Sequence, residues 1–259
     1  MAVLDEFRLA DRHAIVTGAG RGLGRQMALG LAEAGADVTI ADVDEASAEE
    51  TADEIREIGP SATAIPVDVA DEAEVEAMVA TATERLGPID TLVNNAGVSD
   101  LTPASEYPLD DWQRVIDVNL TGVFCCAKRV GRQLLERDAA GTIVNMASMS
   151  GFVANFPQPQ VAYNASKAGV VMVTRSLASE WATEGIRVNA IAPGYMRTTM
   201  VEEALDQQPD MGETWIEDTP MGRLGQPEEI KPLVVYLASD ASSYVTGEVA
   251  FLDGGFTIR

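Results

Sequence analysis

The fold is indicated by the stretch HAIVTGAGRGLG, which spans residues 13–24. Its first five residues are mostly apolar and predict a short buried strand, and the glycines that follow mark a tight turn. Apolar residues then recur at helical spacing from Gln26 to Ala34. A strand, a glycine-rich turn and a helix in this order open a βαβ unit, the repeating element of parallel α/β sheets.

The same alternation continues to the end of the chain. Further strands are predicted at 38–41, 63–67, 91–94, 142–146, 187–191 and 249–252, and further helices at 45–58, 72–86, 109–137, through Tyr163 to about 183, and 227–238. We therefore predict one doubly wound, Rossmann-type α/β domain over residues 1–259. It should have about seven parallel strands and helices on both faces.

One region of the chain is less regular. Between residues 198 and 223, two prolines and two glycines interrupt amphipathic pieces. This region follows the C-terminal end of a predicted strand, which is where ligands bind in open α/β sheets. We predict that 198–223 forms a flap over the site, and an ordinary surface insertion is the alternative.

The charge of the chain excludes some classes of partner. It has 41 acidic and 18 basic residues, a net charge of −23, so a phosphate backbone would be repelled and no nucleic acid is expected as a partner. No apolar run is long enough to span a membrane. The N-terminus is acidic where a signal peptide would be basic, which predicts a cytoplasmic protein.

The small number of lysines suggests a salt-rich environment. Lys128, Lys167 and Lys231 are the only three lysines. Acid-rich, lysine-poor surfaces resemble those of proteins from salt-accumulating organisms, where high ionic strength screens the repulsion. We therefore expect a halophilic source and lower stability in dilute buffer.

Metal-dependent and hydrolytic chemistry is not expected. The two cysteines, Cys125 and Cys126, are adjacent within a helical pattern and are interpreted as small buried hydrophobes. No H-E-x-x-H or paired C-x-x-C motif occurs, so no metal site is predicted. His13 is the single histidine, and its place before the first strand makes a Ser-His-Asp hydrolase a poor interpretation.

The glycine-rich turn is predicted to bind a dinucleotide. Gly18, Gly22 and Gly24 let the turn close and let the backbone approach a pyrophosphate at the helix N-terminus. An ordinary tight turn fits the glycines alone. However, the second predicted strand ends at Asp42, 18 residues beyond Gly24, where a carboxylate accepts from both ribose hydroxyls of NAD and repels the 2′-phosphate of NADP. Although Arg21 favours a phosphate, we expect NAD rather than NADP.

The third predicted strand is followed by Asp68 and Val69. At the C-terminal end of the sheet these residues are placed to contact the adenine ring of a dinucleotide. An aspartate that caps the next helix, before Asp71, is the alternative.

A possible proton-transfer pair lies in the helix that contains Tyr163. Tyr163 and Lys167 are four residues apart and share one helical face. A lysine ammonium near a phenol lowers the tyrosine pKa from its ordinary value of about 10, which suits acid–base catalysis near neutral pH. The spacing is common by chance, and an exposed lysine resting on a surface tyrosine is the alternative.

Seven motifs, taken in order, resemble the short-chain dehydrogenase/reductase family over essentially the whole chain. They are Thr17–Gly24, Asn94–Gly97, Asn119, Ser148, the Tyr163–Lys167 pair, Pro193–Gly194 and Asp253–Gly255. The resemblance implies an NAD(P)-dependent oxidoreductase that transfers a hydride between the cofactor and a secondary alcohol or ketone. It also implies a homotetramer that pairs the two long helices and the C-terminal segment.

The resemblance implies a role for four polar residues. Tyr163 would exchange a proton with the substrate oxygen, and Ser148 would hydrogen-bond and orient that oxygen. Lys167 would lower the pKa of Tyr163 and hold the nicotinamide ribose. Asn119 would carry a proton relay through a water beside Lys167. Because asparagine is unfavourable inside a helix, a local distortion there would support this role.

The predicted cofactor site combines these arguments. Thr198 would fix the nicotinamide carboxamide and so decide which face of the ring is presented, as the resemblance implies. The full set is Gly18, Arg21, Gly22, Leu23, Gly24, Asp42, Asp68, Val69, Asn95, Ala96, Gly97, Tyr163, Lys167, Pro193, Gly194 and Thr198.

The segment between Ser148 and Tyr163 suggests the substrate. These residues are 15 apart, two more than the resemblance leads us to expect, and the added length falls in the lip Asn155–Gln160. Met149–Gly151 and this lip resemble members that act on polyols and sugars. We predict a small polar substrate, with glutamines that face solvent or a neighbouring subunit as the alternative. The predicted substrate contacts are Ser150, Gln158, Gln160 and Tyr195.

Two other functions remain open at this point. A 3-oxoacyl-[acyl-carrier-protein] reductase shares nearly all the motifs, but such enzymes usually prefer NADP and carry basic residues for an acidic carrier. Here Asp42 disfavours NADP, and Glu184 stands where many of them have a basic residue. A non-catalytic cofactor-binding protein would typically lack the tyrosine or the lysine, and both are present.

Overall fold

The structure is a computed structural model that describes residues 2–199, 201–202, 205 and 209–258. Its strands are β1 (His13–Thr17), β2 (Asp37–Asp42), β3 (Ala62–Pro66), β4 (Thr91–Asn94), β5 (Gly141–Met146), β6 (Ile186–Pro193) and β7 (Val249–Leu252). They form one seven-stranded sheet in the order β3-β2-β1-β4-β5-β6-β7, and every pairing is parallel. The predicted fold class is confirmed, and each predicted strand agrees within two residues.

Helices cover both faces of the sheet. They are α1 (Gly22–Glu33), α2 (Glu45–Ile58), α3 (Glu72–Leu86), α4 (Leu109–Ile116), α5 (Gly122–Glu136), α6 (Val161–Trp181), α7 (Pro209–Asp218) and α8 (Lys231–Ala238). Buried side chains of α1, α2 and α8 form the core on one face, and those of α3, α5 and α6 form the core on the other. Neighbouring residues of β1 point to opposite faces, so Ile15 joins one core and Val16 the other. This two-sided burial explains the continuous apolar runs of the strands.

Three helical features differ from the prediction. Helix α1 begins at Gly22, inside the glycine turn, rather than at Gln26. The predicted helix 109–137 is divided by a π-helical turn, Asp117–Thr121. Helix α7 was predicted only as irregular amphipathic pieces. Its described residues, Pro209–Asp218, form a regular helix.

The predicted flap at 198–223 lies partly outside the described residues, which omit 200, 203–204 and 206–208. In the described part, Met211 and Trp215 of α7 form a small buried cluster with Leu224, and Tyr195 packs against it. A movement of this region as a flap stays a prediction.

The order of the strands locates the site. β1 lies between β2 and β4, so the chain leaves β1 toward one side of the sheet and later returns to fill the other side. Open α/β sheets bind ligands where the C-terminal ends of two such strands diverge. The glycine turn after β1 and the residues after β4 meet at this point.

Candidate active site

The catalytic pair predicted around Tyr163 is assembled at the end of β5. Ser148 follows this strand, and its side chain is close enough to the Tyr163 phenol to lower the pKa of that phenol. Ser148 Oγ also accepts a hydrogen bond from the backbone N of Ser150 at 3.1 Å. Burial raises the pKa of Tyr163, and the Ser148 side chain lowers it again in part. Both hydroxyls can therefore approach one substrate oxygen.

Lys167 is buried beneath this pair. Its Nζ donates to the backbone O of Met146 at 2.7 Å and lies 5.5 Å from the centroid of the Tyr163 ring. The alternative of an exposed surface pair is therefore wrong for this lysine. Burial lowers the pKa of Lys167 to about 8, so the group is mainly an ammonium at neutral pH.

The pKa of Tyr163 differs from the prediction in direction. We predicted that Lys167 lowers it, whereas in this geometry it lies above its ordinary value because burial disfavours the phenolate. The sequence pattern shows the spacing of the two residues but not the depth at which they are buried. The loss of hydration is therefore what the prediction missed.

Asn119 lies where the predicted helix 109–137 is locally distorted. The π-helical turn contains it, and the backbone N of Gly122 donates to the O of Asp117, five residues back. Asn119 Nδ2 donates to the O of Val98 at 2.9 Å and to Ser166 Oγ at 3.2 Å, while Oδ1 accepts from the N of Val98 at 2.8 Å. The amide thus fixes the loop after β4 against α6. The predicted proton relay stays a prediction.

Gly97 marks the point at which Asn119 and Lys167 come together. A Cβ atom placed on Gly97 would lie 3.4 Å from Asn119 Oδ1 and 3.7 Å from Lys167 Nζ. Both side chains therefore border the same small space after β4. This places two of the four predicted catalytic residues side by side.

The glycine turn is clamped to the residues after β4. Asn95 Nδ2 donates to the O of Thr17 at 3.0 Å and to the O of Gly18 at 2.8 Å. In return, Thr17 Oγ1 accepts from the backbone N of Asn95 and of Ala96. A Cβ atom on Gly24 would lie 2.1 Å from the O of Gly18 and 2.4 Å from Asn95 Nδ2. Only glycine fits at this contact.

The N-terminus of α1 is suited to an anion. Gly18 and Gly22 have φ values of 61° and 59°, a left-handed conformation that favours glycine. Within the described residues, the N-cap residue Arg21 makes no side-chain capping bond, whereas Asp44 and Asp71 cap α2 and α3. The first backbone N–H groups of α1 have no partner within the helix, and together with the helix dipole they attract a phosphate. The turn therefore fits the pyrophosphate of a dinucleotide.

Asp42 is held beside the glycine turn. Its Oδ2 accepts from the backbone N of Gly20 at 2.8 Å, and its Oδ1 accepts from the N of Asp44 at 3.1 Å. A Cβ atom on Gly20 would lie 3.1 Å from Asp42 Oδ2. The carboxylate therefore has a fixed position at the end of β2, which fits recognition of a ribose next to the pyrophosphate site.

Thr198 reaches the glycine turn from the other side of the cleft. A Cβ atom on Gly22 would lie 4.0 Å from Thr198 Cγ2. β6 ends at Pro193, and Gly194 N donates to the O of Leu252 at 3.0 Å. The predicted nicotinamide segment is thus anchored to β7 and faces the predicted pyrophosphate segment.

Of three further predicted cofactor residues, two pack in the hydrophobic cores and one is exposed. Val69 is buried in the core, and a Cβ atom on Gly122 would lie 2.9 Å from its Cγ2. Leu23 packs against the other core. Asp68 is exposed, and its Oδ1 accepts from the N of Ala70; the cap of α3 is Asp71 instead. The predicted adenine contact of Asp68 and Val69 stays a prediction.

The four predicted substrate residues form two hydrogen-bonded pairs. Gln158 Nε2 donates to Tyr195 Oη at 2.8 Å, and Gln160 Nε2 donates to Ser150 Oγ at 3.3 Å. Gln158 and Gln160 are both buried. The alternative in which these glutamines face solvent is therefore wrong for this chain.

Two residues of this region were missed. Trp215 of α7 stacks on Tyr195 with a centroid distance of 4.2 Å, and its Nε1 donates to Gln158 Oε1 at 3.1 Å. Asn155 Nδ2 donates to Tyr195 Oη at 3.2 Å. Asn155 lies in the predicted lip and was available as a candidate. Trp215 carries no local signal, since it is 57 residues from Gln158.

The described residues offer no other reaction centre of the kinds considered from the sequence. They contain no group of three or more metal-ligating side chains. On a separate point, no described helix has the length and apolar character needed to cross a membrane. His13 is buried with Nδ1 2.9 Å from the O of Gly87 and Nε2 2.9 Å from Thr39 Oγ1. Both ring nitrogens are thus engaged in hydrogen bonds at the amino end of β1.

Comparisons with known proteins identify the family. Residues 18–257 match the protein-family model described as enoyl-(acyl carrier protein) reductase. The chain is 45% identical over 258 residues to galactitol 2-dehydrogenase of Rhizobium johnstonii, which covers 99% of both chains. The chain belongs to the short-chain dehydrogenase/reductase family. The predicted family and enzyme class are confirmed: the chain is an oxidoreductase that acts on alcohol groups.

Other relatives agree with this assignment. A galactitol 2-dehydrogenase (L-tagatose-forming) of Cereibacter sphaeroides is 42% identical over 254 residues, with 97% of both chains covered. A crystal structure of a short-chain type dehydrogenase/reductase from Mycobacterium marinum is similar with a TM-score of 0.95 and 41% identity, and all of both chains is covered. Mannitol and gluconate dehydrogenases are also among the relatives. Among similar solved structures, some hold NADP, which agrees with a nicotinamide cofactor and leaves NAD as a proposal.

Proposed function

We propose that this short-chain dehydrogenase catalyses the reversible, NAD-dependent oxidation of a secondary hydroxyl of a polyol or sugar. The observation that carries the proposal is the position of the Ser148–Tyr163 pair. It lies between a glycine turn that fits a dinucleotide and a lip of buried amide side chains. A hydride-transfer site is thus combined with a polar pocket wall.

Ser148 and Tyr163 are proposed to act on the reacting oxygen. In reduction, Tyr163 donates its proton to the carbonyl oxygen while Ser148 hydrogen-bonds the same atom. Because burial raises the pKa of Tyr163, the phenol carries this proton at neutral pH. In oxidation the same oxygen takes the proton from the substrate hydroxyl, which should become easier as the pH rises.

Lys167 and Asn119 are proposed to support this proton transfer. The Lys167 ammonium, fixed to the O of Met146, stabilises negative charge on the nearby phenol oxygen and can hold a ribose hydroxyl. Asn119 keeps the wall after β4 in place and borders the same space as Lys167. A proton relay through a water at this point remains part of the proposal.

The cofactor is proposed to be NAD. The residues that would hold it are the glycine turn at 18–24, Asp42, the loop 95–97, the segment 193–198 and, with less direct support, Asp68 and Val69. Bound NAD would supply the hydride acceptor for the carbon that carries the hydroxyl. The fixed carboxylate of Asp42 supports NAD because it would repel a 2′-phosphate.

The cofactor proposal is tested by replacing Asp42 with alanine. We expect the ratio of kcat/KM with NADP to kcat/KM with NAD to rise at least about tenfold, because one like-charge repulsion is removed. Steady-state kinetics with both cofactors measure the ratio. A ratio that does not change would contradict the role of Asp42.

The substrate class is supported by the buried amides of the lip. Amide groups that are buried and held by other side chains suit a substrate with several hydroxyls. The relatives whose names include galactitol, mannitol and gluconate point to the same class. A 3-oxoacyl-[acyl-carrier-protein] reductase of Synechocystis is 39% identical and represents the alternative, which the net charge of −23 disfavours for an acidic carrier.

Four wider predictions remain proposals. Exposed apolar side chains on α5 and α6, such as Phe124 and Met172, support a homotetramer. The acidic surface supports a halophilic source, and the sequence supports a cytoplasmic location. The contact of α7 with Tyr195 supports a flap at 198–223 that covers a small-molecule substrate.

The function is tested by a substrate survey in molar KCl. Purified protein is mixed with NAD and a panel of polyols and aldoses, and NADH is followed by its absorbance. We expect turnover of at least one polyol or sugar. No turnover on the panel, together with turnover of an acetoacetyl thioester with NADPH, would overturn the substrate proposal in favour of the acyl-carrier alternative.

A further inference from the structure

The hydroxyl of Tyr195 has a proton that is not used by its neighbours. Tyr195 Oη accepts from Gln158 Nε2 at 2.8 Å and from Asn155 Nδ2 at 3.2 Å. Both contacts are donors, so they occupy the oxygen and leave the O–H group free to donate. Burial raises the pKa of Tyr195, which keeps this proton in place at neutral pH.

Asn155, in turn, has a side-chain oxygen that lacks a hydrogen-bond donor. Asn155 is 9% exposed, and its Oδ1 has no hydrogen-bond partner among the described residues. A buried amide oxygen without a donor is unfavourable, so native structures rarely leave one unless a ligand or water supplies the donor. One free donor and one free acceptor therefore lie on two side chains that are hydrogen-bonded to each other.

A hydroxyl group matches this pair in either orientation of the amide. A hydroxyl can accept from the Tyr195 O–H group and donate to Asn155 Oδ1 at the same time. If the amide is rotated, Asn155 Oδ1 takes the Tyr195 proton and Nδ2 becomes the free group, and a hydroxyl can accept from that instead. An apolar substituent would satisfy neither arrangement.

The surrounding side chains hold this pair in place. Tyr195 is stacked on Trp215 and meets the edge of the Phe256 ring at a centroid distance of 5.5 Å. Gln158 uses its Nε2 on Tyr195 and its Oε1 on Trp215. Gln158 therefore positions Tyr195, and its predicted contact with the substrate stays a prediction.

We propose that Asn155 and Tyr195 form a binding subsite for a second hydroxyl of the substrate, distinct from the hydroxyl that reacts at Ser148 and Tyr163. The subsite rests on the proposed oxidation of a polyol or sugar and makes it more specific. It selects substrates that carry a hydroxyl beyond the reacting carbon over simple secondary alcohols of the same length.

The experiment compares two six-carbon alcohols, galactitol and 2-hexanol, in wild type, Asn155→Ala and Tyr195→Phe. 2-Hexanol keeps one secondary hydroxyl at carbon 2 and lacks the others. We expect the ratio of kcat/KM for galactitol to that for 2-hexanol to fall by about ten- to a hundredfold in each variant. If 2-hexanol turns over too slowly, its inhibition constant replaces its kcat/KM. The fully exposed Tyr244, which lies outside both the lip and the active site, gives the control Tyr244→Phe, whose ratio should stay within about threefold.

A double variant separates a shared hydroxyl from general damage to the pocket. If Asn155 and Tyr195 bind the same hydroxyl, the effects of Asn155→Ala and Tyr195→Phe on the galactitol ratio are not additive. Equal losses for both alcohols would show a structural role and overturn the subsite. Wild-type oxidation of galactitol with an unchanged ratio in the variants would overturn the subsite alone. Failure of the wild type to oxidise any polyol or sugar would overturn the proposed function and the subsite with it.

Discussion

The cleft has two walls, and one is formed mainly by backbone groups whereas the other is formed by side chains. The cofactor wall (residues 17–24, 42 and 95–97) presents mainly backbone groups, together with the Asp42 carboxylate. It depends on glycines, since a Cβ atom added to Gly24 would lie 2.1 Å from the O of Gly18. The substrate wall (155–160, 195 and 215) presents amide side chains and stacked rings. A backbone surface changes little when side chains change, so one wall can serve a common cofactor while the other is altered for different substrates.

The largest expected effect lies where the two walls meet. Replacing Tyr163 with phenylalanine removes the phenol oxygen on whose pKa Ser148 acts. We expect kcat to fall by at least about a hundredfold, since acid–base catalysis contributes that much or more, while NAD still binds. Initial rates and NADH fluorescence titration measure the two quantities. The fully exposed Tyr244 provides the control Tyr244→Phe, and an active Tyr163→Phe enzyme would refute the assignment.

The next effect tests whether the cofactor wall depends on close backbone contact. In Gly24→Ala the new Cβ meets backbone and Asn95 atoms that cannot retreat. We expect NAD affinity to drop at least about tenfold and the free energy of unfolding to fall by about 1–3 kcal/mol.

A matched control for this substitution lies in the same helix. Gly30→Ala places its Cβ 3.0 Å from Lys231 Cβ, away from the cofactor wall. Its NAD affinity should stay near that of the wild type. Titration of both variants with NADH decides the point, and equal losses of affinity would mean that the Gly24 contact is not specific to the cofactor wall.

The difference between the walls also explains what could be predicted from the sequence. The strands, the glycine turn and Asp42 follow from local patterns, because periodicity and turn chemistry act over a few residues. The start of α1 was missed because glycines that form a turn can also open a helix. Trp215 was missed because its partners Gln158 and Tyr195 are brought to it only by the tertiary fold.

The pKa of Tyr163 was missed for a related reason. The four-residue spacing to Lys167 is visible in the sequence, but the burial of both groups depends on the tertiary fold, which places Lys167 Nζ against the O of Met146 in β5. Burial raises the pKa of the phenol and lowers the pKa of the ammonium. A charge effect can thus be predicted from spacing, whereas desolvation needs the fold.

A smaller effect is expected on the substrate wall. Gln158→Leu removes the acceptor for Trp215 Nε1 and one donor to Tyr195 Oη. We expect the KM for a polyol to rise by about three- to tenfold, while the KM for NAD stays the same. Steady-state kinetics with each substrate varied measure both constants. Gln113→Leu, at an exposed glutamine of α4, serves as the control, and a parallel rise in the KM for NAD would contradict separate walls.

The smallest effect is expected at the amino end of β1, at the opposite end of the strands from the cleft, and should leave both walls unchanged. Burial lowers the pKa of His13 below its ordinary value of 6.5. Between the two pKa values the unfolded chain binds more protons than the folded chain, so the free energy of unfolding decreases as the pH falls from above 6.5 toward the folded pKa.

Chemical denaturation of wild type and His13→Gln at pH 7.5 and pH 5.0 tests this contribution. Carboxylates titrate in both proteins and cancel in the comparison. We expect the wild type to lose more stability than the variant over this interval. Kinetic constants at pH 7.5 should be the same in both proteins, because His13 contacts Gly87 and Thr39 and neither wall of the cleft. Equal losses of stability would show that the buried imidazole is protonated as easily in the folded chain as in the unfolded one.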